Sequence, residues 1–407
     1  MKYSLSNDVY LVSGHARSCL YDLNKGKLYS ISNTLAEKLE MISASPKDIV
    51  SNDKELLEAI NKLLAYGLLT RNYKSKRTSI LDIASKESKI DMAWIEITNK
   101  CNMKCLHCYN ESNAHCNNEM TLDNYKIVID SIEKLGVQKV QIIGGEPFII
   151  RNKLKEMLLY TINKFKQIEI FTNGTLITDE WFDFLRDHHI RIALSVYSYL
   201  PEMHDKVTGS FGSWEKTNET IEKLHNHGIE YRVCNILMEG VALGERNTLL
   251  YELSPDKDIV RMSGRANIHL LTDELIEKKL ITKETFRAPI SKEFCRRLIS
   301  GHNCYNSRIY ISSMLEVFPC VMERRLKHCT IDEQRTIFLD SSILKMNKNH
   351  IEGCRMCEYR YACFDCRPNS LSGDIFEKPW YCTYDPNTGI WENKSDFISQ
   401  LKKSCKL

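Results

Sequence analysis

An apolar alternating segment, Ala93-Trp94-Ile95-Glu96-Ile97, runs into a polar loop that carries Cys101, Cys105 and Cys108 at the spacing C-x3-C-x2-C, with no fourth cysteine directly behind them. The alternation reads as a strand. A strand end is where an α/β fold places its chemistry, so this loop fixes both a fold class and the position of a site within it. Three thiolates in one short loop leave a metal centre one protein ligand short. Structural zinc sites and electron-transfer clusters close four protein ligands, whereas an unsaturated centre keeps a position for a substrate or cofactor. The residues alone also allow a zinc ion completed by His107 or His115, or unligated buried thiols.

Downstream, Lys139-Val140-Gln141-Ile142-Ile143 leads into Gly144-Gly145-Glu146-Pro147. Glycines there let a backbone approach a ligand closely, and a fixed carboxylate accepts bonds from an ammonium group. Taken alone, the segment is equally an ordinary strand-to-loop turn. Around it, strands and helices alternate. Thr121 caps a helix that carries Leu122, Tyr125, Val128, Ile129, Ile132 and Leu135 on one face and stops at Gly136. A helical segment through Met157, Leu158, Ile162 and Phe165 precedes a strand from Ile168 to Thr172, and a short helix from Thr178 precedes a strand from Ile192 to Val196. A helix from Ser213 to His227, closed by Gly228, precedes a strand from Tyr231 to Met238, and Asp258 to Met262 reads as the last strand. Six strands alternating with helices predict a parallel sheet with right-handed crossovers.

The cysteine loop and the glycine-glycine-glutamate-proline turn together resemble the radical S-adenosylmethionine (radical SAM) enzymes. The resemblance implies a partial (β/α)6 barrel, a [4Fe-4S] cluster held by Cys101, Cys105 and Cys108, and SAM chelating the fourth iron. It implies that Gly144, Gly145 and Glu146 bind the methionine amino group. His107 stands where the family usually has an aromatic ring. Ser195, at the end of the fourth strand, matches a ribose contact, although a serine at a strand end is also a common turn residue. Asn235 and Arg261 are further candidates for SAM or substrate contacts.

A second cysteine-rich region follows. Cys354, Cys357, Cys363 and Cys366 form a compact run, with Cys382 after it and Cys295, Cys304 and Cys320 before it. The compact run alone is compatible with a zinc-ribbon-like module. As a whole the pattern resembles the SPASM extension of radical SAM peptide-modifying enzymes, which implies two auxiliary [4Fe-4S] clusters and so three in all. By that match Cys304, Cys320 and Cys366 hold one cluster, with Cys295 as the fourth ligand and Cys329 as its substitute. Cys354, Cys357, Cys363 and Cys382 hold the other. The family usually has three residues between the last two cysteines of the run; here there are two, Phe364 and Asp365. Cys19, Cys116, Cys234 and Cys405 read as reduced thiols.

Residues 1–70 read as a separate unit. Alternation in Val9 to Val12, Cys19 to Leu23 and Lys27 to Ile31 predicts a small strand set, and helices are predicted from Thr34 to Ile42 and from Asp53 to Tyr66, ended by Gly67. Residues 71–90 read as a linker, 91–290 as the core, and 291–407 as the cysteine-rich extension with a C-terminal tail. A strand-plus-helix module before such a core resembles the winged-helix-like element with which peptide maturases grip a precursor's leader as an added edge strand. The pattern also allows a dimerisation or nucleic-acid module, but it has no strong basic helix. The segment Val12-Ser13-Gly14-His15-Ala16-Arg17-Ser18-Cys19-Leu20-Tyr21-Asp22-Leu23 is similar to the opening of SPASM maturases encoded beside an ATP-grasp ligase.

The 407 residues hold 16 cysteines, too small a fraction for a disulfide scaffold, and their short spacings suit metal ligation. A net charge of +3 on balanced acids and bases argues for neither nucleic acid nor membrane. The start reads as no signal peptide and no apolar run reaches bilayer length, so the expected location is the cytoplasm. The resemblance implies reductive cleavage of SAM to a 5′-deoxyadenosyl radical, hydrogen abstraction from a leader-bearing precursor peptide, and a flavodoxin- or ferredoxin-like electron donor. Alternatives are sulfatase-maturase-like aldehyde formation on Cys or Ser and a non-catalytic zinc-binding adaptor. Relatives with the first activity carry an aspartate after the cysteine matching Cys320, where Val321 stands here.

Overall fold

The computed structural model describes residues 3–44, 54–71, 79–84, 89–254 and 258–404. Cys405 and most of the 71–90 linker lie outside these. The predicted alternation is present. Strands β1 (Ser4–Leu5), β2 (Val9–Ser13), β3 (Arg17–Asp22) and β4 (Lys27–Ser32) are followed by α1 (Asn33–Ala44), α2 (Lys54–Ala65) and β5 (Leu69–Thr70). The central part then runs β6 (Met92–Thr98), α3 (Leu122–Lys134), β7 (Lys139–Gly144), α4 (Arg151–Thr161), β8 (Gln167–Thr172), α5 (Glu180–Asp187), β9 (Arg191–Ser195), α6 (Pro201–Thr208), α7 (Ser213–Asn226) and β10 (Tyr231–Cys234). After it come α8 (Asp273–Lys279), α9 (Lys292–Ser300), β11 (Arg308–Ile311), β12 (Glu316–Phe318) and β13 (Cys329–Thr330).

Strands β6 to β10 are parallel neighbours in chain order. The period of two sorts their side chains. Ile95, Ile97, Val140, Ile142, Ile168, Ile170, Ile192 and Leu194 face outward and bury against the apolar stripes of α3, α4, α5 and α7. The alternate residues Trp94, Gln141, Ile143, Phe171, Ser195 and Cys234 point into the barrel. Thr121 accepts a bond from the Asn124 amide at 3.2 Å and caps α3, and Gly136 ends it with φ +84°.

The sheet departs from the predicted barrel at both edges. Asp258 to Met262 makes only a single bridge, Leu237 to Ile259, because the Ser263 amide turns back onto the Arg261 carbonyl at 2.8 Å. At the other edge, β11 pairs parallel with β6 and is extended by the antiparallel β12 and β13. A mixed eight-stranded sheet results, and a strand of the cysteine-rich region is built into the core's own sheet.

The N-terminal unit does not stand apart either. Val9, Leu20 and Ile31 of its three-stranded antiparallel sheet bury against Leu39, Ile60 and Leu63 of α1 and α2. Its other face, Tyr10, Val12, Cys19 and Tyr21, buries against Cys295, Ile299, Tyr359, Tyr361 and Tyr384 of the cysteine-rich region. The Tyr21 hydroxyl donates to the Glu358 carbonyl at 2.9 Å and the His15 amide to the Met356 carbonyl at 2.8 Å. Each large side chain so buried contributes roughly 1.5–3 kcal/mol, so losing this sheet would strip a stabilising cover from the last quarter of the chain.

Candidate active site and cysteine centres

The loop that leaves β6 is held from three sides. From β7, the Gly145 amide donates to the Thr98 carbonyl at 2.8 Å and the Glu146 amide to the Lys100 carbonyl at 2.9 Å. This approach is what the glycines permit: a Cβ on Gly144 would press into the Thr98 carbonyl, and one on Gly145 into the Lys100 carbonyl. From α6, the Thr208 and Val207 carbonyls accept from the Lys104 and Leu106 amides at 3.0 and 2.9 Å. From the chain after β10, Arg265 donates to the Cys105 carbonyl at 2.8 Å and to the Ser112 carbonyl at 3.0 Å. Nothing in the local sequence marked Arg265 as this clamp. An isolated arginine in a polar loop carries no motif.

Cys101, Cys105 and Cys108 thereby line one cavity of about 510 Å³ together with His107, Gly144, Gly145, Ser195, Asn235 and Arg261. That volume is in the range of small-molecule pockets, about 300–1,000 Å³. Burial pushes the Cys101 and Cys105 thiols up to about 12, so at neutral pH they stay protonated until a metal takes the proton's place. The His107 ring packs edge-on against Tyr197 with centroids 4.9 Å apart, its Nδ1 has no partner, and burial lowers it to about 4. It is a neutral aromatic wall.

Glu146 differs from the other members of the predicted set. It does not line the cavity. Its carboxylate is fully buried and accepts from the Thr172 hydroxyl at 2.7 Å, the Asn173 amide at 2.8 Å and the Phe148 amide at 3.0 Å. Burial raises it to about 7 against those donors. The face of the turn offered to the cavity is the backbone of Gly144 and Gly145, while Glu146 ties β7 to the end of β8.

A polar belt crosses the cavity wall below the loop. Arg308 lies over the Trp94 ring, 5.6 Å from its centroid. Trp94 Nε1 donates to Gln141 at 2.6 Å, Gln141 donates to Glu169, and Arg232 grips Glu169 through two bonds of 3.0 and 2.8 Å. Each residue is the inward member of its strand, so period-two reading could have found the belt. Val321 and Met322, directly after Cys320, also line the cavity.

The eight cysteines of the second predicted set separate. Cys354, Cys357, Cys363 and Cys382 line a single apolar pocket with Tyr359, Tyr384 and Trp391. Cys304, Cys320 and Cys366 lie elsewhere, near enough to influence one another electrostatically, and among the described residues no three of the His, Cys, Asp and Glu side chains are gathered as closely as a bound metal would hold them. The His302 ring bonds the Asp365 carbonyl at 2.9 Å, and Arg325 joins Glu323 at 2.7 Å to the Arg367 carbonyl at 3.1 Å, so the three cysteine-bearing loops are stitched to one another. Cys295 is not among them. It lies on α9, fully buried in the apolar layer with Cys19 and Tyr21. Cys329 pairs with Val317 in β13 and packs at the rim of the core sheet. Asp365 sits between the two sets. Burial alone would raise its carboxyl, but the buried Lys348 and Arg367 beside it outweigh that and hold it at about 2.

Residues 95–245 match the sequence model of the radical SAM superfamily. The chain is 32% identical over 208 residues to the antilisterial bacteriocin subtilosin biosynthesis protein AlbA of Bacillus subtilis, a match that covers 50% of this chain and 46% of that protein. It therefore spans about half of that relative's length. It is 26% identical over 345 residues to the AdoMet-dependent heme synthase of Methanosarcina barkeri, covering 72% of this chain and 96% of that protein. In fold it is similar to Streptococcus suis SuiB, solved bound to the precursor peptide SuiA, with a TM-score of 0.51 and 12% identity over 93% of this chain and 98% of that one. Residues 95–245 thus read as a radical SAM domain within the chain.

Proposed function

We propose that this chain matures a ribosomally made precursor peptide by radical chemistry. The observation that carries the reading is one cavity in which three spaced thiols and a glycine turn stand at the carboxyl ends of parallel strands, with Val321 and Met322 of the cysteine-rich region also in its lining. A substrate group inside it would meet both parts of the chain. Similarity to the subtilosin biosynthesis protein supports the peptide class.

Cys101, Cys105 and Cys108 would hold a [4Fe-4S] cluster, which together with SAM would supply hydrogen-abstracting radical chemistry to the cavity. The backbone at Gly144 and Gly145 leaves room for the methionine end of SAM, and Ser195 and Asn235 offer polar groups to the rest of it. Trp94, Ile143 and Phe171 line the wall with apolar surface that keeps water from a reactive carbon centre. Val321 puts an alkyl group where aldehyde-forming relatives have a carboxylate, which favours cross-linking or oxidation of a peptide over sulfatase-maturase chemistry.

The three-stranded N-terminal sheet serves as a winged-helix-like leader-recognition module. β4 is an edge strand with no strand partner beyond it among the described residues, and it can accept a leader as a further strand. Tethering the leader raises the effective concentration of the core peptide at the cavity. Two further clusters on the C-terminal cysteines, a flavodoxin- or ferredoxin-like donor, an ATP-grasp ligase acting on the same peptide, and a cytoplasmic location complete the reading. Among the described residues no helix is long and apolar enough to cross a membrane.

The test uses the full chain and the peptide encoded by a short reading frame beside the gene. With its leader, the peptide should lose hydrogen and slow amide exchange at residues 27–32. Without the leader, 5′-deoxyadenosine should still form while modification falls at least tenfold. Equal modification of both peptides would contradict the leader role, and SAM cleavage without any peptide product would contradict the substrate class.

A further inference from the structure

The pocket of Cys354, Cys357, Cys363 and Cys382 is apolar apart from three cations, Lys348, Arg360 and Lys378, and no carboxylate lines it among the described residues. Two of the cations bond backbone. Arg360 Nη1 donates to the Ser13 and Cys357 carbonyls at 2.8 Å, and Lys378 Nζ to the Tyr384 carbonyl at 2.8 Å. Lys348 differs. Its side chain is 7% exposed and touches Asp365, and its ammonium has no aligned hydrogen-bond acceptor among the described residues.

The local sequence puts a lysine there. Asn347 opens a single turn, Lys348–His350, by accepting the Asn349 amide at 3.0 Å, and its Nδ2 donates at 2.8 Å to the Ile299 carbonyl of α9. The turn so anchored sends Lys348 inward. The buried charges it meets do not balance. Asp365 is the carboxylate paired with both Lys348 and Arg367, and its own side chain and that of Arg367 are 2% and 5% exposed. His302 bonds the Asp365 carbonyl on one ring nitrogen and the Cys304 amide on the other, as a neutral ring does, and Arg325 is matched by Glu323. Arg367 Nη1 is taken by the Ile375 and Glu377 carbonyls at 3.0 and 2.8 Å. A positive charge is left over in the interior, where it is costly unless an anion completes it. The thiols can supply that anion. Lys348 already acts on Cys354 and Cys363 at close range, its charge opposing the upward push of burial on both.

We propose that Lys348 is the charged partner of the metal centre held by Cys354, Cys357, Cys363 and Cys382, that its ammonium donates to the sulfur of that centre, and that it thereby raises the centre's reduction potential. A cluster on four thiolates is an anion, and reduction makes it more negative by one electron while breaking no bond. Net charge and hydrogen bonds to sulfur set the potential of such clusters, and a fixed cation acts strongly where little water screens it. The centre is therefore easier to reduce than four thiolates in a wholly apolar pocket would be. This inference rests on the reading that the C-terminal cysteines hold iron–sulfur clusters.

The experiment uses the full chain with Cys101→Ala, Cys105→Ala and Cys108→Ala, reconstituted anaerobically so that only the C-terminal centres remain, at about eight irons per chain. A redox titration followed by electron paramagnetic resonance reads the midpoint of each centre, and adding Cys304→Ala identifies the signal of the enclosed one. Lys348→Met should shift that midpoint down by at least tenfold in the reduction equilibrium, about 59 mV for one electron, and move the other centre much less. Lys348→Arg, which keeps the charge, should restore most of the shift. An unmoved midpoint at full iron content, or an equal fall in Lys348→Arg, would overturn the proposal. Loss of about four irons in Lys348→Met but not in Lys348→Arg would show that the centre requires the charge and would support it. The same loss in both variants would leave Lys348 a packing role alone and overturn it. Zinc, or no metal, in the parent would overturn the cluster reading instead.

Discussion

The loop at residues 101–108 and the pocket of Cys354, Cys357, Cys363 and Cys382 use the same side chain in different surroundings. The first set opens onto a cavity shared with glycines, serines and asparagines, and its wall includes arginines and a polar belt. The second is enclosed by Tyr359, Tyr384, Trp391 and the stem of Lys348. Three thiols facing space suit a centre that must bind something else; four thiols in an apolar pocket suit one that only holds its metal. The loops of Cys304, Cys320 and Cys366 border the first cavity through Val321 and Met322, directly after Cys320. Ligand count and wall polarity, rather than cysteine spacing, separate the roles.

Removing the open set should have the largest effect. Changing any one of Cys101, Cys105 or Cys108 to Ala should abolish 5′-deoxyadenosine formation, while Cys354→Ala should keep uncoupled SAM cleavage and lose peptide modification. Product analysis by chromatography checks both; equal effects at the two sites would break the comparison.

Asp365→Asn comes next. Lys348 and Arg367 would lose a buried counter-charge, so the variant should unfold with roughly 3–5 kcal/mol less stability in denaturant. Iron at both C-terminal centres should become labile while the open loop keeps its own. Gly145→Ala should be milder for the fold and severe for the site. The added methyl pushes the Lys100 carbonyl and the cysteine loop away, and SAM affinity measured by equilibrium dialysis should fall at least tenfold with stability lowered by about 1–3 kcal/mol.

The last effect concerns pH and leaves activity aside. The folded Glu146 carboxyl titrates at about 7, above its ordinary 4.5, so between those values the folded chain binds the extra proton. Stability of the metal-free chain should therefore fall as pH rises through that window, by on the order of 3 kcal/mol from this group. Glu146→Gln should flatten that slope while lowering stability overall. Urea unfolding at about pH 5 and 7.5 measures both.

Much of this architecture was legible in the residues. Period two in β6 to β9 and period 3.6 in α3, α5 and α7 are unambiguous because helices cover only one face of each strand, and Thr121 and Gly136 punctuate α3 as their chemistry requires. The docking of the N-terminal sheet was also written there. The segment Val9-Tyr10-Leu11-Val12, predicted as an alternating strand, has no polar member, which is the pattern of a strand buried on both faces. Other features had no local signal. Arg308 to Ile311 joins the core sheet across more than two hundred residues of chain, and nothing within a short strand names its partner. Cys295 entered the ligand set through the family resemblance, yet α9 turns it toward an apolar layer, because a helical residue's direction is set by the face its neighbours Leu298 and Ile299 bury. Glu146 read as a ligand-facing acid. In the fold, the amides of Phe148 and Asn173 and the Thr172 hydroxyl claim it.

The most direct test of the whole account is iron, acid-labile sulfide and zinc per chain after anaerobic purification and reconstitution, in parallel with the Cys101→Ala, Cys105→Ala, Cys108→Ala variant. About twelve irons with equal sulfide, falling to about eight in the variant, is the predicted result. Zinc in place of iron, or an iron content that the variant leaves unchanged, would contradict it.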